Sequence, residues 1–299
     1  MGLLKNLKTW CSCQINGKSK EYEDYKFELN SKKSDIIRFE KYLEDAAKRF
    51  SVIKQKYPEN SKEYINSKNE MYRWKQTLDE ANLTLGFIRP NSQEDIDYRN
   101  KQCETFPSNL QSVLSPNLDL RFHGTPIYFA EQIIKEGKIS STADRYDGYI
   151  KSTDMLGEIS VSNGNSIKRT IDFFSDMVAY NRSLPGGCIF AVLPKDKEDA
   201  SYGQDLMHAV DFKKNPAQLF GIFTTPENKN SVKKWMEESE LSPDLVYTFE
   251  EFLEVVKTKS AQIDEKCEFA NRIEFSGNPI SNAFSNKHEN NRDKDEYLK

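Results

Sequence analysis

Two runs of apolar residues, spaced alternately three and four apart, constrain this chain more than any other feature. The first joins Ile36, Phe39, Leu43, Ala46, Phe50, Ile53 and Tyr57; the second joins Met71, Trp74, Leu78, Ala81 and Leu85. Such spacing lines apolar side chains along one stripe of an α-helix. Ser34 is placed to cap the first helix, over residues 34 to 57. Pro58-Glu59-Asn60 breaks it, Ser61 is placed to cap the second, and Gly86 and Pro90 end that one. Two striped helices joined by a tight break predict an antiparallel helical hairpin within residues 31–105. Two or three heptads per arm make a poor autonomous coiled coil. The hairpin is therefore expected to dock on the rest of the chain or on a partner, with its aromatics used for packing.

The later sequence has a different rhythm. Residues 103–119 hold two prolines and several Ser and Asn, and read as a connector. From 118 to 258 strands and helices alternate. Asp119 to Phe122 reads as a strand. A helix follows to Glu136, with Thr125 as N-cap, Pro126 at its first position and Gly137 just past its end. Beyond a polar loop, Ile159 to Ser162 alternates like a short strand. Asn165 to Tyr180 reads as a helix through Ile167, Ile171, Phe174 and Val178. Strands are expected at Cys188 to Leu193, Met207 to Phe212 and Gln218 to Thr224. A helix over 227–239 is expected to bury Trp235. Leu245 to Tyr247 is a brief extended piece, and Thr248 caps a last helix through Phe252 and Val256. The fold class is thus α+β: an N-terminal helical hairpin and a mixed β-core with flanking helices. From 276 to 299 the chain is polar, Asn-rich and without apolar period, and is expected to be disordered.

Composition narrows the partners. The 43 basic and 47 acidic residues leave a net charge of -4, so no global basic field favours nucleic acid, and none is expected as a partner. Five cysteines, an odd and scattered set, fit a reducing compartment. Cys11 and Cys13 lack a matching second pair, so no metal site is expected. No run is long enough to span a bilayer, and no secretory signal is convincing. Within residues 1–30, Leu3, Leu4, Leu7, Trp10 and Cys11 fall on one helical face, with Lys5 and Lys8 opposite. That pattern suits a helix lying on a membrane surface, and equally a short helix docked on the protein or a frayed terminus. Gly2 and the two cysteines would suit dual acylation, although Asn6 departs from the myristoylation pattern.

The chemistry-bearing segment is Leu120-Arg-Phe-His123-Gly124-Thr125-Pro126. It sets one of three histidines at the end of a strand, a rigid support for the imidazole. Gly124 lets its backbone N–H and C=O approach a planar amide, because no side chain intervenes. Thr125 offers a hydroxyl to a ribose, and the following helix start offers partial positive charge to a phosphate.

Order and spacing extend the motif. Strand, His-Gly-Thr, helix closed by glycine, polar loop, short strand, helix and three apolar strands follow in turn. This arrangement resembles the ADP-ribosyltransferase fold of bacterial toxins, effector proteins and poly-ADP-ribose polymerases, over roughly residues 118–230. In the branch with a His-Tyr-Glu triad, the first strand ends in His-Gly-Ser or His-Gly-Thr, as Phe122-His123-Gly124-Thr125 does. Gly157-Glu-Ile-Ser-Val-Ser162 is similar to the second motif, and Cys188-Ile-Phe-Ala-Val-Leu193 to the next core strand.

The resemblance implies an NAD-dependent mono-ADP-ribosyltransferase with NAD as substrate. His123 would contact the nicotinamide ribose and Gly124 would hold the carboxamide. Thr125, Ser160 and Tyr149 would complete the cofactor site. Tyr146 or Tyr149, in the loop 140–156, would stack on nicotinamide. Ser162 of the second motif and Gln218 would join His123 in catalysis. The glycosidic bond would break through an oxocarbenium-like state. The chain departs from the family at two places. Gln218 stands where Glu is expected, and Gln cannot act as a base. Ile159 or Val161 stands where Tyr is expected. Glu158, Asp205, Asp211 and Glu227 are the nearest acids in sequence to stand in for it, each otherwise expected to be a solvated surface group.

Other readings exist. Cys188 with His208 pairs a thiol with a base, but Cys188 lies in an apolar run and is expected to be buried and inert. Gly186-Gly187 is a turn and not a phosphate loop, since no Gly-Lys-Ser or Gly-Lys-Thr follows. A Lys- and Asn-rich soluble chain with a polar tail looks like a protein that bacteria deliver into host cells, with a host protein as acceptor. The alternative to an enzyme is a non-catalytic effector or scaffold that binds a host protein or membrane through the hairpin and N-terminus.

Overall fold

The computed structural model describes residues 20–137, 139, 159–163, 167–168, 170–171, 186–194, 207–210 and 217–266. Residues 1–13 with Cys11 and Cys13, the loop 140–156 with Tyr146 and Tyr149, Glu158, Asp205, Asp211 and the tail from 276 lie outside them. The chain divides into two compact units, the first including residues up to Ile96 and the second including Asp97–Ile139 and Gly186–Lys299. Among the described residues, no helix is long and apolar enough to cross a membrane.

The first unit contains the hairpin, α1 (Lys20–Lys56) and α2 (Lys62–Leu85). Phe39 and Trp74 of the two stripes meet across it, joined by Tyr42 and Tyr64 from outside the stripes. The Phe39 and Tyr42 rings lie 6.0 and 4.6 Å from Trp74, and Phe50 lies 5.2 Å from Tyr64. Ser61 caps α2, its hydroxyl accepting from the Tyr64 N–H at 3.2 Å, and Gly86 is the C-cap. α1 begins at Lys20, however, and Ser34 lies inside it instead of capping it. No Gly or Pro interrupts residues 20–33, and Glu21 and Glu23 suit the positive end of the helix dipole.

A third helix, α3 (Gln93–Val113), replaces the expected connector over much of its length, with Pro107 inside it. A proline in a helix forfeits one hydrogen bond and costs roughly 3 kcal/mol in an exposed setting. Here Phe106 and Leu110 are wholly buried on either side of it, each worth about 1.5–3 kcal/mol. Burial therefore wins over local propensity.

The second unit is built on one sheet. Its elements are β1 (Arg121–Pro126), α4 (Ile127–Glu136), β2 (Ile159–Asn163), β3 (Gly187–Pro194), β4 (Met207–Val210), β5 (Ala217–Thr224), α5 (Pro226–Glu238), β6 (Val246–Tyr247) and α6 (Phe249–Lys266). The strand order is β4-β2-β1-β3-β5-β6. Every pairing is antiparallel except the parallel β5–β6. The fold is thus a mixed α+β one. On one face, Phe122, Ile189, Ala191, Phe220 and Phe223 pack with Phe106 and Leu110 of α3, Ile167, Ile171, and Phe249, Phe252 and Val256 of α6. On the other lie Phe190 and Ile222, in register with each other. α4 and α5 pack on each other and on β3, β5 and β6.

Some boundaries moved. Thr125 is not the N-cap of α4. It and Pro126 pair with Cys188 and Gly187 of β3, so the ladder keeps them extended and the cap falls on Pro126, without a side-chain bond. Gly137 ends α4 in the left-handed conformation at φ 63°, as expected of a glycine there. Trp235 is only partly buried; Asn228, Val232 and Met236, four apart, form the inner stripe of α5. α6 runs on to Lys266.

Candidate functional site

The main chain of β1 defines the site. The Ile127 N–H donates to the Gly186 carbonyl, on the β3 side, at 3.3 Å. Successive residues of an antiparallel strand address opposite neighbours. His123 and Thr125 therefore bond toward β3, while Phe122 and Gly124 turn toward β2. β2 pairs with Arg121 and Phe122, through Asn163 and Ser162, and no further. Among the described residues, the Gly124 N–H and C=O thus stand past the last β2 pair, in a notch of the sheet. Ser160 lies on β2 beyond its last pair with β1 and pairs with Ala209 of β4. Ser162 stands against the buried Phe122 and not against His123.

The side chains sort by face. His123 is half-buried and in register with Phe190 and Ile222. Gly124 faces the aromatic core: a Cβ there would lie 2.6 Å from Thr170 Cγ2 and 3.2 Å from Thr170 O. Thr125 is buried in register with Cys188 and Thr224, so its hydroxyl is not displayed to a ribose as expected. Gln218 is in register with Leu193, whose side chain packs on the aromatic core. A bulge near Ala191 and Val192 fixes that register. Gln218 and His123 therefore lie on opposite faces, two strands apart, and do not converge.

Glu227 is not a solvated surface acid. Its Oε1 lies 2.8 Å from Arg99 Nη1, with side-chain exposures of 2% and 0%. Thr225 Oγ1 also donates to that oxygen, at 3.3 Å. Beside the pair, Glu250 accepts from Tyr98 Oη at 2.6 Å and from Gln102 Nε2 at 2.7 Å. Burial, and then the hydrogen bond to Glu250, pushes the Tyr98 phenol well above its usual range. Arg99 escaped the sequence reading because its partner is 128 residues away and nothing local marks it.

The thiol–imidazole reading fails on geometry. Cys188 is on β3 and His208 on β4, with β1 and β2 between them. At about 4.8 Å per strand that is roughly 14 Å. Burial pushes the Cys188 thiol up to about 12.

No family of known proteins matches the sequence, and neither a curated protein nor a solved structure matches it. The site consists of a main-chain donor and acceptor on Gly124, past the last β1–β2 pair among the described residues, beside His123 on the same strand.

Proposed function

We propose that the second unit binds NAD as a substrate along β1 and transfers its ADP-ribose to a protein. The observation that carries this reading is the pair of Gly124 main-chain groups past the last β1–β2 pair among the described residues, next to His123. A primary carboxamide carries one acceptor and two donors in a plane, which complements an N–H and a C=O on one residue. His123, on the adjoining position, would bond to the nicotinamide ribose. The C1′–N bond breaks with its electron pair leaving on neutral nicotinamide. The acceptor then bonds to C1′ and gives its proton to solvent. Gln218 drops out of the catalytic set, and Glu227 is committed to Arg99. Glu158, Asp205 and Asp211 remain the candidates for an activating carboxylate. A bacterial effector with a host protein as acceptor fits this reading.

The test is nicotinamide release from NAD, with mass spectrometry of host lysate for ADP-ribosylated protein. His123→Ala should abolish both while leaving the melting curve unchanged; full activity in that variant sinks the assignment. A second reading, a non-catalytic binding module, is favoured by the large exposed apolar side chains of the hairpin, Phe27 at 74% and Ile37 at 70%. It predicts capture of a partner with no nicotinamide released.

A further inference from the structure

Helical residues 167–168 and 170–171, after β2, bear on the Gly124 edge in a way that the motif does not account for. Thr170 is buried there, among Ile167 and Ile171, both wholly buried in the aromatic core. Its methyl group, Cγ2, presses on Gly124 so closely that a Cβ at 124 would come within 2.6 Å. The Thr170 carbonyl oxygen would be 3.2 Å from that Cβ. A β-branched side chain on a helix has little rotamer freedom with which to yield. The two buried isoleucines leave its backbone little room to recede.

We infer that Thr170 is a positioning residue: its methyl, packed on Gly124, holds the main-chain edge of β1 at the depth where a flat carboxamide reaches it. The inference rests on the NAD reading above. With the core face of Gly124 closed by Thr170 and His123 leaving on the other face, a ligand meets the Gly124 N–H and C=O only in the plane of the sheet. Removing the methyl lets that edge sink toward the core, and hydrogen bonds to a rigid ring tolerate little such displacement. The side-chain atom of Thr170 nearest Gly124 is its methyl carbon, not its hydroxyl.

Four variants of the full chain separate the two groups. Thr170→Ser removes the methyl alone, and Thr170→Val keeps it while removing the hydroxyl. Gly124→Ala introduces the clash, and Gly124→Ala with Thr170→Ser relieves its closest contact. Affinities for NAD and for ADP-ribose, which lacks nicotinamide, are read by calorimetry beside melting temperatures. Thr170→Ser should weaken NAD about tenfold, as for the loss of one good hydrogen bond, and leave ADP-ribose unchanged. Thr170→Val should bind NAD as the wild type does. Gly124→Ala should lose NAD binding and melt lower, and the double variant should regain part of both. Equal weakening of NAD and ADP-ribose, or equal loss in Thr170→Ser and Thr170→Val, overturns the positioning role. A double variant that regains its melting temperature but no NAD affinity overturns it too. A wild-type chain that binds neither ligand instead overturns the NAD reading itself, and this inference with it.

Discussion

Arg99 is the residue whose environment asks most of the fold. Its guanidinium is wholly buried, with one ion pair to Glu227, and its Nε and Nη2 have no hydrogen-bond partner among the described residues. A buried pair of this kind adds little over an apolar pair of the same volume, because both charges are desolvated. Breaking it is another matter, since the remaining charge stays buried. Glu227→Ala or Arg99→Ala should each cost about 3–5 kcal/mol in urea unfolding, while Arg99→Met with Glu227→Leu should cost less than either. Single losses below about 1 kcal/mol would contradict the burial of the pair. Cys188 gives a second prediction at this scale. Its thiol is wholly buried and pushed up to about 12, so at about pH 8 the native chain should leave Cys188 unalkylated by iodoacetamide. Peptide mapping that finds it labelled as fast as in urea would refute this.

At the scale of elements, helix ends follow local rules and are the most readable part of the chain. α6 begins with a reciprocal cap. The Thr248 N–H donates to Glu251 Oε2 at 2.7 Å, and the Glu251 N–H donates to Thr248 Oγ1 at 3.3 Å. Burial pushes the Glu251 carboxyl up, but hydrogen bonds from Lys229 and Thr248 outweigh it, so the group ends below its ordinary value of 4.5. A carboxyl held low stabilises the fold fully above its unfolded value and loses that contribution as pH falls through the folded one. Thr248→Ala should cost about 1 kcal/mol at neutral pH, and less at about pH 3, by chemical denaturation. A cost that stays constant or grows on acidification would sink this account. Thr248, Ser61 and Gly137 were legible because a cap involves residues only three or four apart. α3 was not, because Pro107 argues locally against a helix that only the distant Phe223 and Phe249 rings justify. Thr125 was misread for the same reason, since β3, far along the chain, keeps it extended. The candidate site divides likewise. His123 and Gly124 adjoin in sequence and could be read together. That Gln218 faces the other way depends on a register and a bulge between β3 and β5, which no local pattern announces.

For the whole molecule, the boundary between the two units at Ile96 and Asp97 matters more than the start of the strand–helix alternation near residue 118. α3 supplies Phe106 and Leu110 to the aromatic core. Phe106 packs 4.9 Å from Phe249 and 5.1 Å from Phe223. It also supplies Arg99 to Glu227, and Tyr98 and Gln102 to Glu250. A fragment beginning at residue 118 would expose that core and strand Glu227 as a buried, uncompensated charge. Losing one large core side chain costs about 3–5 kcal/mol, and a domain's whole stability is only about 5–15 kcal/mol. A fragment of residues 92–299 keeps α3 together with its cap, where the Asp95 N–H donates to Ser92 Oγ at 3.1 Å. The longer fragment should therefore melt cooperatively with a defined near-ultraviolet circular dichroism spectrum. The shorter one should show neither. If residues 118–299 melt as sharply and at as high a temperature as residues 92–299, then α3 is a connector after all, and the core described around Phe106 is not what holds this unit together.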